Sequence, residues 1–260
     1  RSDSIENIIK NAKDIAEKGI KEIVLTGVNI GDFKYENKNF ASLINELDNI
    51  DGIDRYRISS IEPNLISEKV MQAVKKSKKF MPHFHIPLQS GSDLILGKMR
   101  RRYQTNLYRK IVENISKEIK NVCIGADVIV GFPGETDEEF YKTLNFIKDL
   151  PISYLHVFSY SERENTPATN FDHKIPKKTK AERSKQLRIL SSKLKNAFYK
   201  KYLNSKHSAL LEKDNNDGML YGFTDNYIKI KTPFNKNIRQ TKQQVKLLQI
   251  DADGIMKAEL

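Results

Sequence analysis

Five strings in this sequence carry side chains that could bind or do chemistry, and each directly follows or closes a short run rich in β-branched residues. They are Thr26-Gly27-Val28-Asn29, Ser59-Ser60-Ile61-Glu62-Pro63-Asn64, His85-Ile86-Pro87-Leu88-Gln89-Ser90-Gly91-Ser92, Gly125 through Thr136 (GADVIVGFPGET) and Ser159-Tyr160-Ser161-Glu162-Arg163. Gly27 lets a ligand approach backbone closely and Asn29 offers both donors and acceptors, although an ordinary turn accounts for the pair equally simply. Ser60 and Glu62 share strand parity, which points a carboxylate inward to accept ribose hydroxyls or an amine; the alternative is a solvated loop acid. Gln89 and Ser90 supply an amide and a hydroxyl suited to a nucleoside edge, and His85 reads as a hydrogen-bonded interior histidine before a base. Asp127 inside an apolar strand is costly to bury without a polar partner, either a ligand in an interior cavity or a cation on the next strand. Gly131 either sets the turn that starts the next helix or lets a flat ring pack on backbone. Arg163 can hold an anion or lie exposed, and the Arg100-Arg101-Arg102 run reads as phosphate-facing or solvated.

The elements that must position these groups alternate. Glu22–Gly27, Tyr56–Ile61, Phe84–Leu88, Cys123–Val130 and Tyr154–Tyr160 read as strands, separated by helix-period segments at Ser4–Lys18, Phe40–Ile50, Ser67–Lys79, Thr105–Lys120 and Glu135–Leu150. Strict alternation builds a parallel sheet. Parity places Asp127, His156, Phe158 and Tyr160 on one side and Leu155 and Val157 on the other, so the sheet curls around a polar interior as a partial, open barrel. A long amphipathic helix, about Lys178–Leu203, leads to short alternating runs with Asn, Asp and Gly turns, which predict a small all-β barrel of the OB-like kind.

Composition narrows the classes. The chain has 260 residues, a formal net charge of +12 and one cysteine, Cys123. A single thiol can neither close an intrachain disulfide nor hold a zinc or iron–sulfur centre from this chain, and no apolar run is long enough to span a membrane. A cytoplasmic setting is the expectation. Nine of the twelve excess positive charges fall between Phe171 and Ser205, which points to a polyanion, with a solvated helix face as the plain alternative.

Taken together and in order, LTGVNIGDF, RISSIEPNLI, FMPHFHIPLQSGSD, MRRRY, GFPGET and YLHVFSYSERENTPA closely resemble the radical S-adenosylmethionine methylthiotransferases. Residues 1–205 resemble that family's partial (β/α) barrel with a basic connector helix, and residues 206–260 its TRAM domain, an RNA-binding β-barrel. The resemblance is greatest to the enzymes that methylthiolate C2 of N6-threonylcarbamoyladenosine at tRNA position 37; sister groups act on isopentenyladenosine in tRNA or on a ribosomal-protein aspartate. It implies S-adenosylmethionine as cofactor, held by Thr26, Gly27, Asn29, Ser60, Glu62, Gln89, Ser90, Asp127 and Gly131, and the tRNA anticodon arm as partner, met by Arg102, Arg163, Lys177, Lys178, Lys180 and Arg183. The family's CxxxCxxC loop, which holds a 4Fe-4S cluster fed by an electron donor, has no counterpart here, so the resemblance implies a fragment that is inactive as it stands. A non-catalytic RNA-binding protein and a small-molecule barrel enzyme are the competing readings.

Overall fold

In the computed structural model, which describes residues 2–163, 166–212 and 218–260, the alternating pattern forms as an open α/β half-barrel. Its strands are β1 (Glu22–Leu25), β4 (Arg55–Ile58), β5 (His83–His85), β6 (Cys123–Val130) and β7 (Tyr154–Ser159). A two-residue hairpin, β2 (Lys34–Tyr35) and β3 (Lys38–Asn39), interrupts the first crossover. The helices are α1 (Ile5–Glu17), α2 (Phe40–Asp48), α3 (Glu68–Lys76), α4 (Asp93–Lys98), α5 (Thr105–Glu118), α6 (Asp137–Lys148) and α7 (Lys177–Lys200). Side-chain caps at Ser4, Asn39, Ser67, Ser92 and Thr136 start five of them by accepting an otherwise orphaned amide hydrogen.

The parallel sheet is not one ladder. β1 pairs with β4, and β5–β6–β7 form a second sheet. Among the described residues, an isolated bridge, Tyr56 to Phe80, and the bond from the Ile61 amide to the His85 carbonyl link the two backbones. The break falls where Pro82, lacking an N–H, follows the Met81 amide that still donates to Tyr56. β1 and β7 do not pair, so the barrel is open along that side.

Parity sorts the two faces. Tyr56, Ile58, Phe84, Ile86, Leu88, Ile124, Ala126, Val128 and Leu155 pack with the helices into one apolar core. Along the same strands Glu22, Arg55, Arg57, His83, His85, Asp127, Tyr154 and His156 alternate with them and share the concave face, joined to one another by hydrogen bonds, ion pairs and ring contacts. Asp127 and His156 are register partners there, as strand parity predicts.

Beyond α7 the chain closes a five-stranded barrel from β8 (Lys206–Leu211), β9 (Met219–Thr224), β10 (Lys229–Pro233), β11 (Lys242–Ile250) and β12 (Met256–Glu259). The last two strands, β11 and β12, fold back on each other at the Asp251–Gly254 turn. Gly222 sits where a Cβ would lie 2.2 Å from the Leu210 carbonyl oxygen, a close approach that only glycine permits. The Asp-Asn-Asn-Asp-Gly string at 214–218, one of the turns the sequence predicts, lies mostly outside the described residues.

This small barrel seals the bottom of the half-barrel. Arg55 donates to the carbonyls of Phe223 (3.0 Å) and Ser208 (2.7 Å), and Arg57 to those of Thr224 (2.8 Å) and Asp225 (3.2 Å). Tyr227, at the tip of the β9–β10 turn, stacks on His83 at 3.9 Å between ring centroids.

Candidate functional site

The polar centre of the concave face is built on three adjacent strands. Asp127 Oδ1 lies 2.8 Å from His85 Nε2 and 3.4 Å from His156 Nδ1. The Tyr154 hydroxyl lies 3.3 Å from His85 Nδ1 and 2.9 Å from His83 Nε2, which carries the network down to Tyr227. Burial opposes the Asp127 charge, but the hydrogen bonds from His156 and His85 outweigh it and hold the carboxyl well below the usual carboxylate range. His83 is driven the other way, first by burial and then by Arg57, so it stays neutral. His85 is almost enclosed while His156 is 56% exposed, so the carboxylate faces the opening of the half-barrel. Two imidazoles and a carboxylate with ligand atoms within 4.8 Å of one another could also hold a divalent cation.

The sequence-predicted binding residues do not converge on one point. Thr26, Gly27 and Asn29 line a cavity of about 870 Å³ between the loop after β1, the start of α1 and the Ile30–Asp32 turn. Its floor is Ile8, Leu25, Phe33 and Leu43, and Asp3 and Lys34 add charge at its edge. Glu62 sits elsewhere, in a rim pocket of about 180 Å³ with Asn29, Asp32 and Arg100 to Arg102, and pairs with Arg101 at 3.4 Å. The expected inward parity of Ser60 and Glu62 fails because β4 ends at Ile58 and Pro63 opens a short 3-10 turn just beyond.

The string Gln89-Ser90-Gly91-Ser92 splits in two. Gln89 is in the left-handed region (φ 65°), bridges β6 through its backbone to Asp127 and Ile129, and has no side-chain hydrogen bond among the described residues. Ser90 is a correction: it is fully buried and bonds Thr143 of α6 at 3.2 Å, away from the concave face. Gly91 lets the chain approach that helix, since a Cβ there would lie 2.7 Å from Thr143 Cα, and Ser92 bonds Glu139.

At the top of β6, Gly131 takes the turn role. Its φ is 75°, its amide donates to Glu135 at 2.7 Å, and a Cβ would lie 2.4 Å from Lys180 Cγ. Arg183 is the second correction. Both terminal nitrogens are engaged, one with Glu135 and the other with Asp137, each at 2.7 Å, and the residue is 4% exposed, so it cannot meet a phosphate. Lys180 is half-withdrawn, donating to the Tyr160 carbonyl at 3.1 Å, while Lys177, Lys178, Arg102 and Arg163 are exposed.

Sequence reasoning passed over Arg55, Arg57, His83, Tyr154 and Tyr227. The signal was present: Arg55-Tyr56-Arg57-Ile58 alternates cation with apolar residue at period two, the mark of a strand with one polar buried face.

The profile of the Radical SAM superfamily matches residues 1–147. The chain belongs to the radical SAM superfamily. Among curated proteins it is 40% identical over 237 residues to the threonylcarbamoyladenosine tRNA methylthiotransferase MtaB of Bacillus subtilis, covering 88% of this chain and 52% of that protein. It is 38% identical to the protein of the same name from Aquifex aeolicus, covering 89% of this chain and 55% of that protein. With the tRNA-2-methylthio-N(6)-dimethylallyladenosine synthase of Clostridium tetani the identity is 36%, over 86% of this chain and 51% of the relative. The chain thus spans about half the length of the curated relatives it matches. Among solved structures, coproporphyrinogen III oxidase of Escherichia coli superposes with a TM-score of 0.56 at 12% identity, over 93% of this chain and 59% of that one. Methylornithine synthase follows at 0.51 and 14%, over 72% of this chain and 53% of that one; both likenesses concern the radical SAM fold alone. The half-barrel that carries Asp127 is therefore the radical SAM barrel, with a closed β-barrel docked beneath it.

Proposed function

We propose that this chain is the barrel and RNA-contacting part of a methylthiotransferase that uses S-adenosylmethionine to modify C2 of an N6-substituted adenosine in tRNA, with N6-threonylcarbamoyladenosine at position 37 as substrate. The observation that carries the reading is the 40% identity, over 88% of the chain, to an enzyme of that name. The residues present fit S-adenosylmethionine. A cavity of about 870 Å³ with an apolar floor and the polar Thr26–Asn29 loop suits a ligand of that size, and Asp127, outside that lining, supplies an ionised carboxylate toward the barrel opening that suits a cation. When bound, that cofactor supplies the radical chemistry for which the superfamily is named. They do not fit an iron–sulfur cluster: Cys123 is buried at the base of β6 and burial pushes its thiol up to about 12, so no step through a cluster is derived from this chain.

The chain's own groups bind and orient. Asp127, held ionised by His85 and His156, gives the barrel a fixed negative charge that repels phosphate and attracts a cationic ligand. Gln89 leaves its amide free for a nucleoside edge. Arg102 at the rim and Lys177 and Lys178 at the start of α7 place positive charge outside, where the RNA backbone would lie.

The test expresses the complete reading frame that contains this chain and analyses host tRNA nucleosides by mass spectrometry. Conversion of threonylcarbamoyladenosine to its 2-methylthio form is the expected result. Conversion of dimethylallyladenosine instead would move the substrate to the sister group, and modification of neither would overturn the reading.

A further inference from the structure

A second cavity, of about 270 Å³, opens where α7 runs along β7 and the small barrel docks beneath, and its lining includes Lys195, Lys229, Phe223, Tyr199 and His156. Lys195 is half-buried with its ammonium 5.2 Å from the centre of the Tyr199 ring, and Lys229 lines the cavity from β10 with its ammonium 5.6 Å from the centre of the Tyr221 ring. Neither ammonium pairs with a carboxylate among the described residues. Lys231, two residues along the same strand, is held by Asp251 at 2.7 Å and Asp253 at 2.6 Å, so the strand does neutralise a lysine where no ligand is needed. Burial first, and then the Lys229 charge, lower the Lys195 pKa against a smaller opposing pull from Asp253. Beside them the partly exposed Phe223 stacks on Tyr227, at 4.8 Å between ring centroids.

Two ammoniums in a cleft, each beside an aromatic ring but without a carboxylate partner among the described residues, call for an anion, and the partly exposed Phe223 ring beside them offers a surface to a flat apolar partner. We propose that this cavity holds one nucleotide unit of single-stranded RNA, with its phosphate between Lys195 and Lys229 and its base against Phe223. The volume suits one such unit and excludes a duplex. The site deepens the tRNA reading and rests on it: it would fix the RNA at the seam between α7 and the small barrel, beside the opening lined by His156.

Lysine acetylation read by mass spectrometry tests the site on this chain, with exposed Lys193 as the internal reference. An anticodon stem-loop RNA, and separately 5′-AMP, at about four times its dissociation constant should slow acetylation of Lys195 and Lys229 roughly fivefold, leaving Lys193 unchanged. Adenosine without phosphate should protect neither. The paired variant Lys195→Gln, Lys229→Gln should weaken stem-loop binding about tenfold and flatten its dependence on salt. Stem-loop binding with both lysines reacting at their free rates would overturn the site and leave the tRNA reading intact. Protection by 5′-AMP with no stem-loop binding would uphold the nucleotide site and overturn the tRNA reading. Equal protection by inorganic phosphate would overturn the stacked base.

Discussion

At the scale of single residues, the sequence tells which side chains are out of place more clearly than it tells what they touch. Asp127 in an apolar strand had to have a partner, and parity put His156 beside it; that His85 closes the cluster from the other side depends on the register of β5 against β6, which no local pattern states. Ser90 shows the opposite case. Its neighbours in the string suggest binding, yet it is a packing hydroxyl against Thr143, so Ser90→Ala should cost about 1 kcal/mol of stability. Urea unfolding would show that loss, while equilibrium dialysis should show S-adenosylmethionine affinity unchanged; a selective loss of affinity would restore a binding role. Cys123 offers a simple check on burial. With its thiol pushed up to about 12 and the residue 2% exposed, it should resist a thiol reagent at pH 8 in the native state and react once urea unfolds the chain. Rapid stoichiometric labelling of the folded protein would contradict the placement.

At the scale of elements, the strand and helix order was legible because each element carries its own period and cap, and the departures have identifiable causes. The sheet breaks at Pro82, β4 stops before Pro63, and α6 starts two residues later than its acidic run suggests because Thr136 takes the cap while Glu135 turns back to Gly131 and Arg183. The basic helix α7 is the element where sequence and structure differ most in meaning. Its charge density reads as one RNA-facing stripe, but Arg183 belongs to the interior and Lys195 to a cleft, leaving Lys177 and Lys178 among the exposed cations. Burial of the Glu135 carboxyl raises its pKa against the pull of the Gly131 amide and Arg183, as expected for a charge kept inside by a dedicated partner. Removing that partner in Arg183→Ala should therefore cost about 3–5 kcal/mol, because it strands a buried carboxylate. Lys177→Glu with Lys178→Glu should leave the melting temperature unchanged and weaken stem-loop binding at low salt. If Arg183→Ala melts like the parent, or the lysine pair unfolds the protein, the two roles have been exchanged.

At the scale of the whole molecule, the half-barrel and the small barrel are joined by a seam that neither half announces: apart from the ion pair of Lys242 with Asp54 at 2.9 Å, it is carried largely by Arg55 and Arg57 donating to backbone carbonyls of the small barrel. Carbonyls leave no trace in sequence, which is why two barrels were legible and their docking was not. The seam contains a titrating element. Burial works against the Asp225 charge, but the His207 hydrogen bond at 2.8 Å, the Asn226 amide and Arg55 together bring the carboxyl below its ordinary value of 3.8. A depressed carboxylate stabilises the fold fully above the unfolded value and loses that contribution as pH falls through the lower folded value. The parent should thus lose stability below about pH 4, and Asp225→Asn should show a flatter acid limb. The arginines make the stronger demand. Arg57 binds Glu22 at 3.0 Å on its own sheet and two carbonyls across the seam, with its guanidinium 5.0 Å from the centre of the Tyr227 ring. Each barrel has its own apolar core, so cutting the seam should separate their unfolding before it abolishes either. Arg57→Ala should turn one calorimetric transition into two, with the lower one moving furthest, and should leave far-ultraviolet circular dichroism at room temperature unchanged. Tyr227→Ala, which removes the ring between His83 and Phe223 and keeps the carbonyl contacts, should produce the same split more weakly. A single transition in both variants, shifted as a block, would mean that the two cores unfold as one and that the seam transmits stability through packing alone.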